Sequence, residues 1–348
     1  MSVRLWITLI TVFLLGIVVF FGWPQIVQAW GLMDRVNPWI LALLLPVQLF
    51  SYYSGGEAMF SYLRAKNELK TMSRSMMARI SLELNFVNHI FPLPGAGGFS
   101  YMGWIMGHHG VSAGRTTMAQ IIRIFSQFVS FVMFIMLSVF VLLFDNGVSR
   151  VSIFVSTLFV VATILLILFT VYVIGNRRRV ISISAWVSRA INGMVRKFTN
   201  GKKPEAIMPI KVEKFFLDLH SDYMEIKADK RILIRPLIWS SIGNVLDVGL
   251  IMIAFLALGF WVNPAALFVA YGVASFAVII VSVMPGGSGI YETIMITFLA
   301  SAGVPADVAI AGTLLARAIL LTGTILFGYL FYQLTINKYG KNTKPAKL

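Results

Sequence analysis

Two stretches rich in proline and glycine interrupt long apolar segments of the chain, and they decide the fold. They read Phe91-Pro92-Leu93-Pro94-Gly95-Ala96-Gly97-Gly98 and Met284-Pro285-Gly286-Gly287-Ser288-Gly289. Proline lacks a backbone N–H and glycine tolerates dihedral angles that other residues avoid, so a helix is expected to end at each stretch. The segments 80–107 and 264–302 are therefore each predicted to hold two short helices joined by a break.

The composition around these stretches is that of an integral membrane protein. Of the 348 residues, 58% are hydrophobic and only 12% are charged. A soluble domain would need far more charge on its surface. Apolar runs of about 18 residues or more recur, and each is long enough to cross a hydrocarbon core of roughly 30 Å. The predicted spanning helices are 5–22, 38–56, 117–144, 151–175, 236–260 and 307–334.

The formal net charge of +15 is concentrated in three connections, the loop 57–79, the linker 176–235 and the tail after residue 334. The positive-inside rule places these connections, and with them both termini, in the cytoplasm. Orientation of the helices and contact with anionic lipid account for this charge, so no nucleic-acid partner is predicted.

This orientation constrains the two broken segments. The segment 80–107 must begin and end on the cytoplasmic side, whereas 264–302 must begin and end outside. Each then enters the membrane and turns back, which non-helical backbone tolerates only where it is buried in protein or lines a wet cavity. We predict an all-α polytopic membrane protein with about six full transmembrane helices and two re-entrant broken-helix hairpins in an inverted repeat.

The repeat extends beyond the breaks. Each broken segment is followed by a Gly-Val pair, at Gly110 or Gly303, and then by a long helix that carries Arg123 or Arg317. Interrupted segments in two inverted halves mark the binding site of secondary transporters. The helix after each break begins with free N–H groups and a positive dipole end, which favour an anion. The alternative is that each proline-glycine cluster is an ordinary interfacial loop.

The predicted binding site combines the breaks with polar residues inside apolar segments. An arginine is costly in lipid and is expected to face a cavity or a partner. Asn244 and Asp247 share one face of a helix because they are three residues apart. A salt bridge of Arg317 with Asp247 or Glu292 that only fixes helix packing is the alternative. The predicted substrate-binding residues are Asn88, Pro92, Pro94, Gly95, Gly97, Gly98, Arg123, Asn244, Asp247, Pro285, Gly286, Gly287, Gly289, Glu292 and Arg317.

The domain prediction follows the charge pattern. It comprises a first transmembrane half (1–175), a basic linker (176–235), a second half (236–334) and a basic tail (335–348). Within the linker, 184–195 and 212–226 are compatible with amphipathic helices on an anionic membrane surface. The first apolar run is longer than a usual signal-peptide core, which favours an uncleaved helix over a cleaved signal.

Together these motifs resemble the transmembrane family of lysylphosphatidylglycerol synthases and flippases over roughly 40–334. The residues that carry the resemblance are Asn88-x3-Pro92-x-Pro94-Gly95-x-Gly97, Gly110-Val111-Ser112, Arg123 and Pro285-Gly286-Gly287-x-Gly289-x2-Glu292. The resemblance implies a multi-pass protein of the plasma (inner) membrane that moves anionic or aminoacylated lipids between leaflets. It also implies a stand-alone member without the aminoacyl-transferase domain. The chain departs from the family at Phe99 and Ile122, where the family often has glutamate.

Three classes of function remain open at this stage. The first is a lipid flippase, with membrane phospholipid and the bilayer as partners. The second is an ion-coupled transporter of a soluble solute. The third is a membrane enzyme, but no His-Glu-x-x-His motif, metal-ligand cluster or Ser/His/Asp set occurs, and the chain has no cysteine. We therefore predict no catalytic residue, no metal and no cofactor. A homo-oligomer is compatible with the sequence.

Overall fold

The computed structural model describes residues 33–69, 72–90, 96–144, 150–198, 208–281 and 289–340, with seven isolated positions between 13 and 31. Every regular element within these ranges is helical, and two short 3-10 helices, Met33–Arg35 and Lys230–Leu233, accompany the α-helices. The α-helices are α1 (Pro38–Ala42), α2 (Leu44–Ala65), α3 (Arg74–Ile90), α4 (Ala96–His108), α5 (Ala113–Leu142), α6 (Arg150–Ile174), α7 (Arg177–Phe198), α8 (Pro209–Ala228), α9 (Ile234–Ala257), α10 (Pro264–Val281), α11 (Ile290–Ser301) and α12 (Ala306–Tyr339).

The chain is an all-α polytopic membrane protein, as its composition predicts. In the described part, four helical stretches are long and apolar enough to cross a membrane: Ala113–Leu142, Ser156–Ile174, Lys230–Ala257 and Ala306–Tyr339. Two shorter apolar stretches are Pro264–Ser275 and Ile290–Ser301. The predicted first helix, 5–22, lies almost entirely outside the described residues.

The predicted span 38–56 differs from the structure. It is divided at Leu43 into α1 and α2, and α2 continues to Ala65. Glutamate is compatible with a helix, and the Glu57 carboxylate is neutralised within α2, since Tyr53 donates a hydrogen bond to it at 3.0 Å and Arg64 donates another at 3.1 Å. A charge neutralised in this way can remain inside the helix.

Both predicted broken segments consist of two helices that pack against each other. In the first, α3 ends at Ile90 and α4 begins at Ala96; in the second, α10 ends at Val281 and α11 begins at Ile290. The breaks themselves, 91–95 and 282–288, lie outside the described residues.

The two halves contact each other reciprocally. Helix α3 packs along α12, and α10 packs along α5. Paired side chains show that both crossings are antiparallel: Arg79 with Thr335 and Phe86 with Tyr329 in the first, and Phe131 with Tyr271 and Phe134 with Phe268 in the second. The first arm of each broken segment therefore packs on the long arginine-bearing helix of the other half.

The Gly-Val pairs form the same helix cap in both halves. Gly110 and Gly303 have φ angles of 82° and 89°, in the left-handed region that favours glycine. The N–H of Val111 donates to the Met106 carbonyl at 3.0 Å, and the N–H of Val304 donates to the Leu299 carbonyl at 3.0 Å. These are the hydrogen bonds of a Schellman motif, so the sequence repeat corresponds to a repeated local structure.

Residues 161–234 form a compact unit of their own. In it, α7 packs against α8. Both helices are longer than the predicted amphipathic segments 184–195 and 212–226, because α7 begins at Arg177 and α8 at Pro209.

The crossing of α3 and α12 yields a stability prediction. A β-carbon on Gly328 would lie 2.3 Å from Phe86 Cβ and 3.1 Å from the Leu82 carbonyl oxygen. Gly328→Ala is therefore expected to cost about 1–3 kcal/mol by overpacking. Thermal unfolding in detergent measures the loss. Gly249→Ala is the matched control, because a β-carbon there has no atom within 4 Å. Equal midpoints for both variants would contradict the packing argument.

Candidate functional site

The second break is followed at once by an ion pair. Gly289, with a φ of 98°, caps α11, and Glu292 lies in its first turn. Arg317 Nε on α12 donates to Glu292 Oε1 at 3.0 Å, and its guanidinium lies 4.8 Å from the centre of the Tyr291 ring. The Arg317 side chain is nevertheless 47% exposed, while Glu292 is almost covered. A partly open cation therefore stands beside the amino end of a helix.

Asp247 is connected to this pair through two tyrosines. The Tyr291 and Tyr271 rings lie 6.4 Å apart, and the Tyr271 hydroxyl is 3.4 Å from Asp247 Oδ2. Ser51 on α2 donates to the other carboxylate oxygen. Among the described residues Asp247 has hydroxyl donors but no ion pair, so of the two predicted partners of Arg317 the structure places Glu292 in contact.

The first broken segment also reaches Arg317. His89, one residue before the end of α3, lies close enough to Arg317 for the two side chains to interact electrostatically. Tyr52 on α2 interacts with both Arg317 and Asp247 in the same way. Helix α11 contacts the Arg317 guanidinium directly through Glu292, while the end of α3 interacts with it only electrostatically.

Two amide side chains join the halves in equivalent ways. Gln48 Nε2 on α2 donates to the Leu320 carbonyl of α12 at 2.8 Å and lies 3.4 Å from Thr324 Oγ1. Asn244 Nδ2 on α9 donates to the Gln127 carbonyl of α5 at 3.1 Å and to Ser130 Oγ at 3.2 Å. Each amide thus contacts a carbonyl and a hydroxyl on the arginine-bearing helix of the opposite half.

Arg123 differs from Arg317 in its surroundings. It precedes Ser130 by seven residues, as Arg317 precedes Thr324. Its Nε is buried without a hydrogen-bond partner, and the described residues offer its guanidinium no ion pair. Glu292 lies eleven residues before Gly303, and Phe99 lies eleven residues before Gly110. The first half therefore has an arginine but, at the equivalent position, no acid.

A comparison with protein-family models identifies the family of the chain. The family model described as the lysylphosphatidylglycerol synthase TM region matches residues 5–328. The chain belongs to this family. Membership indicates a lipid-related function in the membrane. In the comparisons with curated proteins and with solved structures, nothing matches the chain.

The structure describes only part of the family motif at the first break. A β-carbon on Gly98 would lie 2.2 Å from Asn88 Oδ1, so glycine allows α3 and α4 to approach closely beside the break. Gly97 is buried, and Asn88 Oδ1 is buried without a partner. The remaining predicted residues Pro92, Pro94, Gly95, Pro285, Gly286 and Gly287 lie outside the described residues.

Sequence reasoning left Glu83 out of the predicted set, although it is fully buried. Its carboxylate accepts hydrogen bonds from Arg79 at 2.8 Å, from Thr335 at 2.6 Å and from Tyr101. These donors lie on α3, α12 and α4. In the sequence, the four-residue spacing of Arg79 and Glu83 within an apolar segment could have indicated this ion pair. Among the described residues, no group of three or more His, Asp or Glu side chains suits a metal ion.

The Glu83 network gives a second stability prediction. Glu83→Ala leaves Arg79 without its acid and is expected to cost roughly 3 kcal/mol. The matched control is Glu68→Ala, whose 3.6 Å pair with Arg115 is about a third exposed. Such a pair contributes about 0–1 kcal/mol. The free energy of unfolding in detergent, measured for both variants, tests the difference. Equal losses would show that burial does not set the strength of the Glu83 network.

Proposed function

We propose that this chain moves anionic or aminoacylated phospholipids between the leaflets of the plasma membrane. The observation that carries the proposal is Arg123, a half-buried cation in a candidate spanning helix, whose Nε is buried without a hydrogen-bond partner and which has no ion pair among the described residues. A guanidinium in that position is costly, so its retention indicates a ligand that supplies the missing negative charge. Membership of a lipid-related membrane family supports a phospholipid as that ligand.

We further propose that α3–α4 and α10–α11 are re-entrant hairpins of an inverted repeat. The reciprocal crossings of α3 with α12 and of α10 with α5 support this arrangement. The matching caps at Gly110 and Gly303 and the matching amide contacts of Gln48 and Asn244 support it independently. In this proposal the chain has the domain limits predicted above, with both termini and the basic linker in the cytoplasm.

Transport would use the two arginines differently. The lipid phosphate would bind Arg123, because a bidentate guanidinium–phosphate contact replaces water at low cost. Arg317 is already paired with Glu292, so it would bind the phosphate only when this ion pair breaks. Asp247, which has only hydroxyl donors among the described residues, would accept the ammonium group of an aminoacylated headgroup. The acyl chains would stay in lipid while only the headgroup crosses, and no catalytic step is needed.

Asp247 also favours the second candidate, an ion-coupled transporter of a soluble solute. Its carboxylate lies beside the oxygen atoms of Ser51 and Tyr271, with no cation paired to it among the described residues. Oxygen-lined carboxylates of this kind bind coupling ions or protons. The two candidates differ in the cargo, since a soluble solute would need uptake into the vesicle lumen.

The function is tested with purified protein in liposomes. Transfer of a fluorescent anionic phospholipid between leaflets is expected to fall roughly tenfold or more in Arg123→Ala, because a charge-assisted hydrogen bond contributes about 1.5–3 kcal/mol. Arg235→Ala, an exposed arginine at the start of α9, is the control. Unchanged lipid transfer together with lost solute uptake would favour the second candidate.

Phe99→Glu tests whether the missing acid matters. Position 99 corresponds in the repeat to Glu292, so a carboxylate there is expected to pair with Arg123 and to lower anionic-lipid transfer toward the Arg123→Ala level. Phe99→Gln has nearly the same shape without the charge and should transfer lipid much faster. Equal transfer by the two variants would argue against Arg123 as the phosphate site.

The hairpin topology is tested by single-cysteine labelling, because the chain has no cysteine. Ser75→Cys and Ala113→Cys flank the first hairpin, and Trp261→Cys and Ala306→Cys flank the second. A membrane-impermeant maleimide is expected to label the first two from one side and the last two from the other. Labelling of Ser75→Cys and Ala113→Cys from opposite sides would overturn the re-entrant arrangement and leave the membrane assignment intact.

A further inference from the structure

Helix α7 carries a strongly basic surface. It contains Arg177, Arg178, Arg179, Arg189, Arg196 and Lys197, and no acidic residue. Arg178 and Arg189 are exposed, as is Ser182. Residues four, seven and eleven positions apart lie on one side of a helix, so these three side chains form a continuous row.

The opposite side of α7 is already buried. Val180, Ser184 and Ser188, spaced four residues apart, are all covered in the packed unit 161–234. Two large apolar residues in the described part of α7 are exposed, Ile181 at 37% and Trp186 at 64%. Trp186 is the aromatic one. It projects on the basic side. The face left open therefore combines arginines with one aromatic ring.

The position of α7 is fixed close to the end of a spanning helix. The candidate span Ser156–Ile174 ends three residues before α7 begins. Arg179 Nη1 donates to the Tyr172 carbonyl at 2.8 Å, and its guanidinium lies 3.5 Å from the centre of the Tyr172 ring. His220 of α8 contacts the Ile174 carbonyl at 2.6 Å. Both helices are thus tied to the last turn of α6, where the chain leaves the apolar region.

We propose that the open face of α7 binds the headgroups of anionic phospholipids in the leaflet at which α6 ends. Basic residues next to a spanning helix are attracted to anionic lipid over about a Debye length. A tryptophan prefers the headgroup level, where its ring is covered and its N–H stays hydrated. An acidic protein partner would match the arginines but would not require the face to be tied to a membrane boundary. The inference does not rest on lipid transport by the remainder of the chain.

The experiment uses the full chain in lipid nanodiscs. Ser182→Cys, labelled with an environment-sensitive fluorophore, reports from the centre of the basic row and is unique because the chain has no cysteine. Nanodiscs contain phosphatidylcholine alone or phosphatidylcholine mixed with phosphatidylglycerol. The expected result is a blue shift and a severalfold gain in fluorescence with phosphatidylglycerol, and added salt should reverse it.

Charge variants decide the interpretation. Arg178→Glu combined with Arg189→Glu should abolish the fluorescence gain, while Lys214→Glu combined with Lys227→Glu, two exposed lysines of α8, should retain it. The neutral pair Arg178→Gln and Arg189→Gln, with unchanged thermal unfolding, separates lost binding from misfolding. No dependence on phosphatidylglycerol would overturn the proposal. A response to polyglutamate without a response to phosphatidylglycerol would also overturn it and assign the face to an acidic protein.

Discussion

A charge inside the apolar part of this protein must be neutralised by another group of the chain, because lipid supplies neither water nor counter-ions. Glu57, Glu83 and Glu292 each accept a hydrogen bond from an arginine. Asp247 is satisfied by hydroxyl groups instead. In the described part of the chain, Arg123 Nε and the second oxygen of Glu292, Oε2, are buried without a hydrogen-bond partner. Each of these acids thus has at least one donor within the fold, whereas Arg123 has no ion pair among the described residues; in the proposed function a lipid phosphate supplies it.

The same requirement determines which helices meet. Lipid chains are as apolar as leucine, so helices in a membrane associate through close packing and polar contacts. Glu83 joins α3 to α12 through Thr335, and Asp247 joins α9 to α2 through Ser51. At the α3–α12 crossing, Gly328 leaves room for Phe86. Neutralisation of charge and close approach of backbones thus act at the same crossings.

Local features of the fold were predictable from sequence, and long-range ones were not. Proline and glycine act on their own backbone, so the ends of α3, α4, α10 and α11 and the caps at Gly110 and Gly303 followed from the motif. Glu292 was one of two candidate partners for Arg317. Thr335 as a partner of Glu83 was missed because 252 residues separate them. The end of α2 was placed too early because the neutralisation of Glu57 depends on its folded neighbours.

The contact of Gln48 with α12 has a consequence for biogenesis. The amide and the Leu320 carbonyl that accepts its hydrogen bond are 272 residues apart in the chain. During synthesis, α2 is made long before α12, so until α12 is made the Gln48 amide has only Tyr52, on its own helix, as a native acceptor. The contact that joins the halves through Gln48 therefore forms late, after α12 has been made.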